Sequence, residues 1–208
     1  GLWLYDLLAL LRTPGFHSRL SRAQMSKAFP ALRREGLKGG FRYFDASMWD
    51  DVLVHEILRS ASSHGVAAAN YVKATGPISS ADRITGFEFQ ETLAPHRTGT
   101  IRAKHIISCV GPWTDLLGHA VQTNWKPVLN PSRGVHIVFD AKRFPVPGAM
   151  IMAHPVDGRV SFVIPREDFG AGVVIVGTTD GPSNPIPEQT VVEAEDIDYL
   201  LNLLAGYF

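Results

Sequence analysis

Along residues 132–140, SRGVHIVFD, apolar and polar positions alternate: Val135, Ile137 and Phe139 fall on one side of an extended chain, His136 and Val138 on the other. That period of two predicts a half-buried strand. Three more strands are predicted at residues 149–153, 160–164 and 173–176, separated by Asp157-Gly158 and by the turn-forming stretch 168–172, the spacing of an antiparallel meander. Elsewhere the spacing is helical. Leu4, Leu7, Leu8 and Leu11 mark an opening amphipathic helix of the core, stopped at Thr13-Pro14-Gly15, and Ser21 opens a short helix toward Phe29-Pro30. Asp50 is placed to cap a third helix, in which Val54, Ile57, Leu58 and Ala61 share one face before Gly65. Residues 40–46 read as extended, 66–73 as a strand, 74–82 as a loop, and 84–93 as a strand paired in a hairpin with 99–103. A buried strand over 105–110 then runs into Gly111-Pro112. The chain closes on a helix striped by Ile197, Leu200, Leu201 and Leu204, with no stop signal, as a truncated piece would.

Composition narrows the picture. The 208 residues are 45% hydrophobic, enough to bury the core of one large domain or somewhat more. Twenty basic and 20 acidic side chains cancel, and no Lys/Arg block stands out, which argues against a nucleic-acid partner and for a small, local one. Cys109 is the single cysteine, so no internal disulfide forms, in keeping with a reducing compartment. No apolar run approaches the ~20 residues that span a bilayer. The opening GLWLYDLLALLRTPG is broken by Arg12 and Pro14 and lacks the basic start of a signal peptide; a membrane-surface helix is the alternative to a core one.

Candidate chemistry is sparse. The eight histidines show no metal-ligand spacing with cysteine or carboxylate, and Ser108 and Cys109 have no evident base to make either a nucleophile. In GAGVVIVG, residues 170–177, the glycines precede the strand, so the stretch reads as a tight turn rather than a phosphate loop. In ISCVGPWTD, residues 107–115, the order is strand, glycine, helix start; it suits either close approach of a nucleotide or a plain strand-to-helix turn. His136 interrupts an apolar strand and is open to two readings, a general base titrating near neutral pH or a hydrogen-bonded structural histidine.

The blocks GLWLYDLLA, GLKGGFRYFDASMWDDVLV, HGVAAANYVKATG, ISCVGPWTD, SRGVHIVFD, DGRVSFVIP, VGTTD and EDIDYLLN, in this order, resemble the FAD-dependent, quinone-linked glycerol-3-phosphate dehydrogenases nearly end to end. The family's N-terminal dinucleotide fingerprint and its later arginine and lysine blocks are missing, so the chain looks like the central part of such an enzyme. The resemblance implies an α+β fold: a mixed or antiparallel substrate-binding sheet with flanking helices of the D-amino-acid-oxidase-like type, beside remnant strands of the nucleotide-binding domain. On that plan residues 1–48 are a helical and extended lead-in, 49–120 the remnant of the FAD-binding domain, 121–190 the substrate-binding sheet and 191–208 a terminal helix.

The implied reaction takes sn-glycerol 3-phosphate to dihydroxyacetone phosphate with hydride transfer to FAD and electrons passed to a quinone. The resemblance puts His136 at the base, Arg133 beside the substrate phosphate or reduced flavin, and Val72, Ser108, Gly111, Pro112 and Trp113 along the adenosine and pyrophosphate of FAD. Cys109 and Val110 replace the small residue and threonine usual in that turn. Arg166 stands where the family commonly has an aromatic residue, and no role carries over to it. Thr178, Thr179 and Asp180 end a strand that either faces the site or is capped by Asp180. The complete enzyme is expected in the cytoplasm or peripherally on the inner face of the membrane. This chain alone is expected to hold no flavin and to be inactive. Another FAD oxidoreductase of the same fold, acting on hydroxy or amino acids, and a non-catalytic binding module stand as alternatives.

Overall fold

The computed structural model describes residues 1–9, 12, 14–183 and 186–208. In chain order the elements are α1 (Leu2–Leu8), β1 (Ser18–Ser21), α2 (Arg22–Ala28), β2 (Gly39–Arg42), α3 (Asp50–Ser63), β3 (Val72–Ser80), β4 (Arg83–Glu91) and β5 (Thr98–Arg102). After a single 3-10 turn at Gly111–Trp113 follow α4 (Thr114–Val121), β6 (Ser132–Arg133), β7 (His136–Asp140), β8 (Met150–Ala153), β9 (Val160–Arg166), β10 (Val173–Gly177), β11 (Gly181–Pro182) and α5 (Ala194–Tyr207). The fold is α+β, as expected. Two compact units make it up, residues 1–46 with 132–208, and residues 47–131.

In the first unit an antiparallel sheet has the order β7-β10-β9-β8. β8, β9 and β10 form the predicted meander, while β7, the earliest strand, pairs with β10 at the far edge. The face bearing Val163, Val174, Val176 and Met152 is closed by Leu203 of α5 and by Val146, all buried. Each such aliphatic side chain, fully buried, stabilises the fold by about 1.5–3 kcal/mol. Phe144 meets both Phe139 and Phe208 edge to face, fastening the end of α5 to the sheet. This unit joins the lead-in and the terminal helix to the sheet, because Arg33 donates its backbone N–H to Tyr207 O (2.8 Å) and its Nη1 to Ala205 O (3.0 Å). α2 starts as predicted at Ser21, whose side chain and that of Gln24 cap each other's backbone N–H.

The opening helix corrects the sequence reading. In α1, Trp3, Leu4, Leu7 and Leu8 are exposed and the buried residue is Asp6. Its carboxylate accepts the His17 backbone N–H (3.1 Å) and lies 2.6 Å from His17 Nδ1, with Trp3 edge-on to that imidazole. The polar pair, not the leucine stripe, decides which side of the helix faces inward. Leu11 and Thr13 lie outside the described residues.

In the second unit β3, β4 and β5 form an antiparallel sheet in that order, including the predicted 84–93 and 99–103 pairing. The strand expected at 66–73 and the loop expected at 74–82 are overturned: residues 66–70 are irregular, and β3 occupies Val72–Ser80. Pro77 is accommodated because β3 is an edge strand and its pairing slips at Ala74/Gly76 and at Ile78/Ser79. The buried strand expected at 105–110 does not form either. Those residues are irregular, and Ile107 is 86% exposed, because no described strand offers them a ladder. α3 exists as predicted, but its cap position is Trp49 and Asp50 is its first helical residue. Among the described residues no helix is long and apolar enough to cross a membrane.

Candidate active site

Because facing residues of an antiparallel pair lie on one side of the sheet, the register fixes which groups accompany His136. His136 faces Gly177 of β10, Gly177 faces Phe162 of β9, and Phe162 faces Ile151 of β8. This row runs across the side of the sheet opposite the α5 core, and it is open: Phe162 and Ile151 are exposed, as is Val138 beside them. His136 is itself exposed, and its ring nitrogens have no hydrogen-bond partner among the described residues. A neutral imidazole in that state has one nitrogen free to take a proton. Glycine at 177 is what makes room for it. A Cβ there would stand 2.5 Å from His136 Cδ2 and 2.8 Å from Val135 O, so any side chain would drive the ring off the sheet.

Arg133 behaves differently. Its guanidinium is mostly buried; Nη1 donates to Asp196 Oδ2 and to Val191 O (3.2 Å), and Nη2 lies 3.5 Å from Glu193 Oε1. Its charge is matched inside the chain by two carboxylates. Asp196 is buried and also accepts the Glu193 backbone N–H (3.0 Å). The Glu193 N–H, followed by the Arg133 guanidinium, holds the Asp196 carboxyl below its ordinary value, and Asp196 in turn holds the Arg133 guanidinium more firmly protonated. Thr179 completes the cluster: its N–H donates to Val135 O (3.2 Å) and its Oγ1 accepts the Val135 N–H (3.0 Å). Sequence reasoning missed Asp196 and Gly177, and read the Thr179 stretch as a strand end that either faces the site or is capped by Asp180. The pattern of Glu193 and Asp196 before an apolar stripe signals a capping box, which forms, but nothing local points from Asp196 to Arg133, 63 residues away.

His154 shows what a structural histidine looks like in this fold. It is 4% exposed, its Nε2–H donates to Tyr199 O (3.0 Å), its Nδ1 accepts the Val156 N–H (3.3 Å), and its ring stacks on Tyr199 at 3.8 Å. Arg166, to which no role was carried over, makes a two-pronged bond to the Asp168 carboxylate in the turn after β9. The glycine-rich stretch after it is the tight turn expected, with Gly170 and Gly172 at positive φ before β10.

The residues expected along the nucleotide belong to the second unit. Val72 opens β3 opposite Glu91. Ser108 sits in the exposed irregular stretch, not in a buried strand, and Cys109 is likewise exposed. Gly111, at φ +53°, begins the 3-10 turn with Pro112 and Trp113 that leads into α4, and Thr114 Oγ1 donates to Gly111 O (2.7 Å). Asp115 then gathers the chain beyond the helix, accepting from Trp125 Nε1 (2.9 Å), Val128 N–H (2.9 Å) and Leu129 N–H (3.1 Å). Among the described residues no group of three or more His, Cys, Asp or Glu is arranged to hold a metal ion.

Residues 3–208 match the family described as FAD dependent oxidoreductase. The aerobic glycerol-3-phosphate dehydrogenase of Staphylococcus haemolyticus is 33% identical over 209 residues, and that of Staphylococcus aureus (strain USA300) 32% over 211; all of this chain is covered in each case. The chain spans 37% of the length of these relatives. Among solved structures, the glycerol-3-phosphate dehydrogenase from Bacillus halodurans complexed with FAD superposes with a TM-score of 0.79 at 32% identity, covering 91% of this chain and 37% of that one. The L-proline dehydrogenase from P. horikoshii gives a TM-score of 0.56 at 11% identity over 98% of this chain and 51% of that one, a likeness of fold alone.

Proposed function

From the premise that this chain belongs to the FAD-dependent oxidoreductase family and has its fold, we propose that it serves the oxidation of sn-glycerol 3-phosphate to dihydroxyacetone phosphate, with electrons passing on to a quinone. One observation carries the choice of site: His136 stands on the open face of the sheet with both ring nitrogens unengaged, whereas His154 has both engaged. The named activity of the Staphylococcus and Bacillus relatives supports the choice of substrate.

The residues present fit FAD. Residues 105–109 are exposed, and the N–H groups of Ser108 and Cys109 donate to no backbone acceptor among the described residues. A Cβ at Gly111 would meet nothing within 4 Å, so that side of the turn is open. Val72, Ser108, Gly111, Pro112 and Trp113 would hold the adenosine and pyrophosphate. Bound FAD supplies the hydride acceptor. His136 receives the substrate's hydroxyl proton at a free ring nitrogen as the secondary alcohol becomes a ketone, the task of a general base. Val138, Ile151 and Phe162 give it an apolar surround that excludes water once substrate is in place.

The test is anaerobic addition of glycerol 3-phosphate to the FAD-loaded complete enzyme that contains this chain. Flavin absorbance near ~450 nm should bleach and return with a quinone analogue, and His136→Ala should slow the bleaching about a hundredfold or more. Bleaching by a 2-hydroxy or amino acid and not by glycerol 3-phosphate would overturn the substrate; full-rate bleaching in His136→Ala would overturn the base.

A further inference from the structure

β7 is an edge strand, and its ladder with β10 ends at the His136–Gly177 pair. A second, separate ladder joins Arg133 to Gly181. Between the two, Gly134 and Val135 need another tie, because a one-residue slip in a strand turns every side chain to the other face. Thr179 provides it with both its N–H and its hydroxyl, gripping Val135 on the residue next to His136. Two residues on either side of this grip, Arg133 pairs with Gly181, so whatever holds Arg133 also holds the strand entry. Asp196 is in turn held by Arg133, which also reaches Val191 O and Glu193.

We propose that Thr179, Asp196 and Arg133 are positioning residues for His136: a buried frame that fixes the register and direction of the imidazole and never touches substrate. The inference rests on the reading of His136 as the base, and it moves Arg133 from the substrate phosphate to the frame. Three sequence blocks that look independent, β6, the start of α5 and the segment after β10, are then one device. A frame of this kind acts on turnover more than on binding, because the misplacement of a reacting group by about 1 Å costs up to ~100-fold in rate.

The experiment is a set of variants in the FAD-loaded complete enzyme that contains this chain. Thr179→Val removes the hydroxyl at nearly constant volume; it should lower kcat ~10- to 100-fold with KM within about twofold, and speed amide exchange at Val135 and His136. Thr179→Ser, which keeps the hydroxyl, should recover most of that loss. In a His136→Ala background Thr179→Val should add no further loss, because the group it positions is gone. Equal losses with Ser and Val, or an undiminished further loss in the His136→Ala background, would overturn the frame. If His136→Ala alone leaves turnover intact, the proposed base falls instead, and the exchange rates at Val135 and His136 still decide whether Thr179 holds the strand. Should Thr179→Val fail to accumulate folded, Asp196→Asn is read by the same kcat, exchange and double-variant criteria.

Discussion

The imidazole of His136 and the bare Cα of Gly177 face each other across the β7–β10 pair, and the ring occupies the space a side chain at 177 would need. Gly177→Ala should therefore displace the ring or spread the strands, with an overpacking cost of about 1–3 kcal/mol in urea unfolding and a turnover loss of at least ~10-fold. Unchanged turnover would mean that the ring position does not matter to the chemistry.

The two histidines of the sheet separate function from stability. His154→Ala leaves the Val156 N–H without its acceptor in a buried place and should cost about 1–3 kcal/mol. His136→Ala, on the open face and without a bond to lose, should change stability by less than ~0.5 kcal/mol. Paired denaturation curves check this; a large loss from His136→Ala would make it a core residue.

Acid should unfold the protein in a defined window. The carboxyls of Asp6, Asp115, Asp157 and Asp196 all titrate below their ordinary value in the fold, chiefly through the His17 side chain, and through the backbone N–H groups of Val128, Arg159 and Glu193 respectively. Between the folded values and the unfolded value of about 3.9, only the unfolded chain takes up protons, so lowering the pH favours it. Their contribution is complete above that unfolded value and drains away as pH falls through the folded ones. The thermal midpoint, followed by circular dichroism, should be level down to about pH 5 and drop below about pH 4. A midpoint unchanged to about pH 2 would contradict it.

The closed and open faces of the sheet should answer differently to truncation. Leu203→Ala empties a fully buried site between α5 and the sheet and should cost about 2–5 kcal/mol. Val138→Ala, on the 58%-exposed side, should cost under ~0.5 kcal/mol in the same assay.

What was legible in the sequence follows the range of the forces. The alternation at 135–139 gave the face of β7 correctly, and Ser21 with Gln24 marked the start of α2, because each depends on residues within one turn or one pleat. The family blocks gave the fold class. The apolar run at 105–110 misled, since period alone cannot say whether a partner strand is there to pair with it. α1 misled for a related reason: the bond that orients it joins Asp6 to His17 beyond the helix. The cluster at Asp196 depends on contacts across dozens of residues, which no local pattern records.

Arg33 clasps the last turn of α5 across 172 residues of chain, and the unit it closes is built from two separated segments. On the ribosome the first segment must therefore wait. In residues 47–131, β3, β4 and β5 pair with near neighbours and can do so before β7 is made. The four-stranded sheet can close only after the last residues of α5 have emerged, and that long loop closure slows the step relative to the local hairpins. Until then Val163, Val174 and Val176 lack the cover of Leu203, and uncovered apolar sheet of this kind is prone to aggregate.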